Sequence, residues 1–294
     1  MYSDLLFNFL QMTENSGTAY GAEILSQMAQ SKPLFALDSG VSVQDIWQRS
    51  VLLKDCIDLI DDESEKKTAG QMIYLAAGIM PDYDSVEKRY DYVESLEETI
   101  RDFKSSDYPF ADRLVAIGPC GIDHDWESVE YEGRAHDWFD DQTVLDETDL
   151  FALQLTLGKK LNMPVIVHSR RGFKETSDVL KAVKWNKGVV HGYAYSKSEL
   201  DFFLDSGWYI SFSGAVTYAG KKGAQDMSDT VTYVPKDRLL IESDSPYYAP
   251  VPLKNTENTP LNMKYIYDYI ASKRGISTGK LSDTVDENFK RLFL

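Results

Sequence analysis

The sequence predicts an α/β barrel of parallel strands, and three observations predict it. Strand-like apolar runs alternate with helix-like amphipathic segments along most of the chain, a pattern that makes βα units rather than a sandwich or a helical bundle. Three of those runs, Met163-Pro-Val-Ile-Val-His168-Ser-Arg, Gly188-Val-Val-His191 and Leu239-Leu-Ile-Glu-Ser-Asp244-Ser-Pro, end in side chains able to ligate a metal. A short unbroken apolar run reads as a strand buried on both faces, and a barrel gathers the polar residues at the carboxyl ends of its strands into one pocket. The length, 294 residues, suits one such barrel around a single core.

Taken in order, residues 1–32 read as one or two amphipathic helices, with Leu5, Leu6, Phe9 and Leu10 on a first stripe and Ile24, Leu25 and Met28 on a second. A Ser-Gly-Thr break separates them, and they are expected to form an N-terminal helical extension to a barrel spanning 33–294. Strands are expected near 34–38, 72–79, 113–117, 164–168, 187–191, 208–213 and 238–243. Helices are expected over Val43 to Ile60, Ser85 to Phe103, Thr148 to Leu161, Gly172 to Lys184, Ser196 to Ser206 and Thr259 to Gly275. That makes seven strands. Between Gly40 and Met72 a helical pattern is followed by the charged stretch Asp61-Asp-Glu-Ser-Glu-Lys-Lys, with no apolar run for another strand. One βα unit is therefore expected to be missing or distorted.

Composition excludes several classes. No apolar run approaches the roughly 18 residues that suggest a membrane span, so no membrane association is expected. The first residues lack the basic region and cleavage site of a signal peptide, which makes the cytoplasm the expected location. Cys56 and Cys120 lie far apart without CxxC spacing, so neither a disulfide framework nor a cysteine zinc site is indicated. With 31 Lys and Arg against 47 Asp and Glu, the formal net charge of -16 opposes non-specific attraction to a phosphate backbone. DNA or another phosphoester would be held weakly, through positive potential at the site itself. Gly118-Pro-Cys-Gly has neither GxGxxG nor Walker spacing.

The segments in order resemble the TatD family of metal-dependent deoxyribonucleases, members of the amidohydrolase superfamily with a TIM-type (β/α)8 barrel. Leu161-Asn-Met-Pro-Val-Ile-Val-His-Ser-Arg-Arg-Gly-Phe is similar to the family's L-x-L-P-V-I-I-H-S-R-x-A-F, and Gly207-Trp-Tyr-Ile-Ser-Phe-Ser-Gly-Ala-Val-Thr-Tyr to its G-F-Y-I-S-F-S-G-x-V-T-F. Pro235-Lys-Asp-Arg-Leu-Leu-Ile-Glu-Ser-Asp-Ser-Pro resembles P-x-D-R-L-L-L-E-T-D-x-P, and Asn288-Phe-Lys-Arg-Leu-Phe the terminal N-x-x-R-L-F. The N-terminal half departs from the pattern. Asp38-Ser-Gly-Val-Ser aligns with D-x-H-x-H at the end of the first strand, so that Gly40 and Ser42 replace two histidines. Met80 replaces the histidine of G-x-H-P, and Pro119 replaces the glutamate of G-E-x-G-L-D that bridges two metals.

The resemblance implies a reduced site with His168, His191 and Asp244 as ligands of one divalent ion, Asp244 also taking the proton from the attacking water. Imidazoles with a carboxylate suit Zn²⁺, Mn²⁺ or Fe²⁺ better than Mg²⁺. Arg170, two residues past His168, is expected to contact substrate phosphate, since a guanidinium binds two anionic oxygens together. His124, beside the loop that lacks the glutamate, is a candidate substitute ligand. Asp38 is expected to hold the first strand's loop through backbone hydrogen bonds, His136 to lie on the surface, and the role of Glu242 stays open. The expected activity is cleavage of phosphodiester bonds in DNA by a metal-activated water. Two rivals stand beside it: a catalytically degenerate barrel serving as a binding or scaffold protein, and a mononuclear hydrolase of an amide, ester or lactone.

Overall fold

Eight parallel strands hydrogen-bond in chain order in the computed structural model, which describes residues 2–14, 16–124, 140–219 and 226–294. They are β1 (Asp4–Phe7), β2 (Ala36–Asp38), β3 (Ile73–Ala77), β4 (Leu114–Asp123), β5 (Val165–Arg170), β6 (Gly188–Val190), β7 (Tyr209–Phe212) and β8 (Leu239–Ile241). The helices between and after them are α1 (Phe9–Thr13), α2 (Gly17–Gln30), α3 (Asp45–Asp58), α4 (Glu63–Met72), α5 (Tyr83–Glu87), α6 (Arg89–Lys104), α7 (Asp141–Leu161), α8 (Phe173–Val183), α9 (Lys197–Asp205), α10 (Ser228–Tyr233), α11 (Met263–Arg274) and α12 (Thr278–Phe293). All seven expected strands form. The (β/α)8 barrel is complete, and the eighth strand comes from the segment expected to be a helical extension.

That correction has a physical cause. Asp4–Phe7 is buried at every position, so its apolar residues do not alternate, and Leu5, Leu6, Phe9 and Leu10 satisfy a helical stripe equally well. Tertiary pairing decides the matter. β1 pairs in parallel with β2, and it closes the barrel against β8 through the Phe7 to Ser245 bridge, with Asp244 N–H donating to Leu6 O at 2.9 Å and Asn8 N–H to Ser245 O at 2.9 Å. Residues 1–32 thus contain β1 and the two helices that follow it rather than standing apart from the barrel.

The charged stretch after Ile60 also has a role. Asp62 caps α4 by accepting the N–H groups of Ser64 and Glu65, both at 2.9 Å, and Glu63 and Glu65 sit in the first turn where the helix dipole favours negative charge. At the far end of the chain, Asn288 on α12 donates to the carbonyls of Lys236 and Leu239 at 2.8 Å each, while Phe289 stacks on Phe35 with centroids 3.7 Å apart. These contacts dock the last helix onto β8 and β2. His136 falls outside the described residues.

Candidate metal centre at the barrel mouth

His168 and Arg170 lie on β5, His191 follows β6 directly, and Asp244 lies three residues past β8. His168 Nδ1 and His191 Nε2 face each other at 3.0 Å. Nitrogens about 2.0–2.1 Å from a shared tetrahedral ion stand about 3.3 Å apart, so the pair has the spacing of two ligands. Each imidazole has a carboxylate on its other nitrogen: Asp123 Oδ2 lies 3.0 Å from His168 Nε2, and Glu242 Oε1 lies 3.3 Å from His191 Nδ1. Such partners fix the tautomer and aim the opposite nitrogen at a metal. Glu242 is itself held by the Gly192 N–H at 2.6 Å.

The approach of β4 to β5 that sets Asp123 beside His168 depends on Gly121. Its φ is +151°, and a Cβ there would run into the His168 carbonyl, so no other residue fits. Asp244 also has left-handed backbone, at φ 54°, held by its N–H bond to Leu6 and by Tyr247 N–H donating to its carbonyl at 2.9 Å. A non-glycine residue in this region marks a position that the surrounding structure over-determines.

His191, Glu242 and Asp244, all buried, each offer a donor atom within 4.8 Å of the others. Glu242, whose role the sequence left open, therefore belongs to the cluster, while His168 joins it through His191. The second oxygen of Glu242, Oε2, is buried with no hydrogen-bond partner among the described residues. A bare carboxylate oxygen is costly in the interior, and a cation among His191, Glu242 and Asp244 would satisfy it. That position lies on the opposite side of the His191 ring from the face it turns to His168, where two imidazole nitrogens and the chemistry of the donors also fit a divalent ion. Burial pushes the His168 pKa down against the opposing pull of Asp123, which favours the neutral ligand form. For His191 burial acts the same way, but the negative charge of Glu242, Asp244 and Asp123 outweighs it and the net shift is upward.

A cavity of about 270 Å³ opens over these groups. Arg170 lines it, its Nη1 donating to the Tyr248 hydroxyl at 2.7 Å, as do His168, His191, Asp244 and Tyr247. His124 does not line it. Its ring lies toward the buried Glu147 on α7, with Nε2 at 3.4 Å from Oε2, and its backbone N–H donates to Arg170 O at 2.9 Å.

The opposite wall corrects the reading of the N-terminal half. The D-x-H-x-H pattern belongs to the first strand, which is Asp4–Phe7, so its positions fall on Asp4, Leu6 and Asn8 rather than on Asp38, Gly40 and Ser42. Leu6, Asn8, Met80 and Pro119 all line the cavity. Gly40 has a different purpose: a Cβ there would collide with the Asp45 carboxylate and the Arg49 guanidinium. Arg49, 1% exposed, bonds Asp38 Oδ2 at 2.6 Å, Asp45 Oδ1 at 3.0 Å and Ala76 O at 2.7 Å. Asp38 meanwhile accepts the Phe9 N–H at 2.9 Å, so the loop it holds is the one after β1 rather than that of its own strand. Asp123, Glu242, Leu6 and Asn8 were not singled out as site residues. The only sequence signal for them was position at or just past a strand end, and for Leu6 and Asn8 the strand itself was unseen.

A complete parallel barrel whose imidazoles and carboxylates converge at the carboxyl ends of the strands defines a (β/α)8 barrel of the amidohydrolase type. Residues 22–294 match the family model described as TatD related DNase, and the chain belongs to the TatD family. The match begins within α2. Among curated relatives, the uncharacterized metal-dependent hydrolase YcfH of Escherichia coli K12 is 35% identical over 182 residues, 61% of this chain and 63% of that protein. The chain thus spans just under two thirds of that relative's length. The uncharacterized metal-dependent hydrolase YabD of Bacillus subtilis is 29% identical over 75% of this chain and 77% of its own. In fold, the TatD homologue YjjV of Escherichia coli K12 matches with a TM-score of 0.75 at 21% identity, covering 99% of this chain and 97% of that one.

Proposed function

We propose that this protein is a metal-dependent hydrolase of phosphoester bonds that holds one divalent ion among His168, His191 and Asp244, with DNA ends among its substrates. The observation that carries this reading is the 3.0 Å approach of the two imidazole nitrogens, each backed by a buried carboxylate, on the wall that also holds Asp244. When bound, a divalent ion supplies Lewis acidity and a water of lowered pKa. Asp244 is placed to accept a proton, and Arg170, steadied by Tyr248, to bind the non-bridging oxygens of a phosphoryl group. Support for the substrate class comes from a relative, the 3'-5' ssDNA/RNA exonuclease TatD of Rahnella, 31% identical over 61% of this chain and 65% of its own. Imidazole and carboxylate donors favour Zn²⁺, Mn²⁺ or Fe²⁺. We place the protein in the cytoplasm; no described helix is long and apolar enough to cross a membrane, and both cysteines are buried thiols.

The test is elemental analysis of the purified protein after incubation with Mn²⁺ or Zn²⁺, together with hydrolysis of end-labelled single-stranded DNA. One equivalent of metal, lost with the hydrolysis in the H168A/H191A double variant, is expected. Hydrolysis that persists unchanged in that variant would overturn the site, and failure to take up metal would leave the barrel a binding protein. The apolar wall opposite the ligands favours a second reading, a mononuclear hydrolase of esters or lactones, because one ion suffices for the single oxyanion of a tetrahedral intermediate. Turnover of such substrates in place of DNA would decide for it.

A further inference from the structure

The wall of the cavity facing the metal-ligand cluster has the makings of a second, separate subsite. It is formed by Leu6 on β1, Val41 after β2, Met80 and Pro81 after β3, and Pro119 on β4. Its backbone offers no donor to an anion. Pro81 and Pro119 have no N–H. The N–H of Met80 is given to Val41 O at 3.1 Å, that of Val41 to Asp45 Oδ2 at 2.7 Å, and that of Leu6 to Asp4 Oδ1 at 3.2 Å. Asn8 is likewise engaged, its amide donating to Ser245 O at 2.9 Å and its oxygen accepting the Ser39 hydroxyl at 2.7 Å. Gln11, Ser42 and Asp82 line the same side of the cavity around this apolar patch, and the Asp82 carboxylate repels an anion.

A phosphate oxygen pressed against Leu6, Met80 and Pro119 would lose its hydration and gain no hydrogen bond or cation from them in return, a large penalty for a charged group. An alkyl or aryl group would meet the opposite balance, shedding unfavourable hydration onto side chains already held in place. Across the cavity, the guanidinium of Arg170 and the imidazoles of His168 and His191 suit a single anionic head.

We infer that the cavity takes an amphiphilic substrate, a phosphoester whose anionic head faces His168, His191 and Arg170 while a compact apolar group beside it packs on Leu6, Met80 and Pro119. This rests on the proposed phosphoester reading of the site and narrows it, away from DNA ends, to phosphoesters whose group next to the phosphoryl centre is uncharged and apolar. The apolar patch is bounded by Leu6, Val41, Met80, Pro81 and Pro119, so gains from lengthening the group end once the chain extends past it.

Isothermal titration of the Mn²⁺-loaded full chain with inorganic phosphate and with methyl-, propyl-, butyl- and hexylphosphonate tests this without turnover. Affinity is expected to rise about fourfold per methylene over the short members, the yield of burying one CH₂, and then to level off. In Met80→Gln the rise per methylene should shrink, with the affinity for inorganic phosphate measured on each protein as its own reference. Leu6→Asn is a second variant on the same wall, in case one of the two folds poorly. Binding of phosphate and all phosphonates with equal affinity would overturn the apolar subsite and leave the phosphoester site standing. Failure of every member, inorganic phosphate included, would overturn both. A slope that is present but identical in the variants would place the alkyl chain elsewhere and overturn the assignment to this wall.

Discussion

The two halves of the barrel mouth stand on the same kind of strand yet carry opposite chemistry. β5, β6 and β8 deliver His168, His191 and Asp244, with Asp123 and Glu242 behind the imidazoles. β1, β3 and β4 deliver Leu6 and Asn8, Met80 and Pro119 to the facing wall. The strand interiors are alike, buried aliphatic runs with almost no solvent exposure. The contrast teaches that the barrel's stability is set in the strand middles and beneath the loops. The rim carries imidazole on one side and methionine or leucine on the other above one continuous eight-stranded sheet.

Beneath the apolar half lies its strongest polar anchor, and removing it should give the largest effect. Arg49 ties Asp38 at the end of β2 to Asp45 on α3 and to the Ala76 carbonyl on β3, and through Asp45 it holds Val41 on the cavity wall. Arg49→Met would leave Asp38, fully buried, without its counter-charge. The expected loss is about 3–5 kcal/mol, the usual cost of stripping one partner from a buried ion pair, read by urea unfolding. If the two halves are independent, the metal affinity of the folded variant stays near that of the parent. A matching collapse of metal binding would show that the halves are coupled.

The polar half should respond the other way. Glu242→Gln and Asp123→Asn remove the charge behind His191 and His168 while preserving size, and each is expected to weaken Mn²⁺ or Zn²⁺ binding by about 10–100-fold with a smaller effect on unfolding. Competition with a chelating indicator measures it. Equal affinity in both variants and parent would mean that the carboxylates do not orient the ligands.

The asymmetry between the halves also governed what could be read from the chain. His168, His191 and Asp244 were legible because each follows an unbroken apolar run, so that strand, rim and donor are visible in one stretch of sequence. Strands β2 to β8 were legible for the same reason. β1 was not, since four buried residues followed at once by a helix leave no alternation and no break to mark the change. With β1 unseen, the D-x-H-x-H comparison slid to the next aspartate, Asp38, and the losses at Leu6 and Asn8 were assigned to Gly40 and Ser42. The Arg49 network was invisible because its partners are set by packing of α3 against β2 and β3 rather than by any local pattern.

Asp4 sits on the seam between the halves, and its effect should be the most dependent on pH. Its Oδ1 accepts the N–H groups of Ser243 at 2.8 Å and Leu6 at 3.2 Å, joining β1 to the segment after β8, while Oδ2 is buried with no partner among the described residues. Burial, opposed by these hydrogen bonds, pushes its carboxyl up to about 8. The folded protein therefore keeps this proton at pH values where the unfolded chain, with an ordinary aspartate, has released it. Between the usual aspartate range and about pH 8 the native state binds one more proton than the unfolded state, so its stability must fall as pH rises through that window and level off above it. Asp4→Asn keeps an acceptor for both N–H groups and cannot ionise. Its melting temperature relative to the parent should climb steadily through that window and stay constant beyond it, in metal-free buffer. Parallel melting curves for the two proteins across the window would mean that Asp4 is ionised in the folded state, and a cation or donor at the seam would have to account for it.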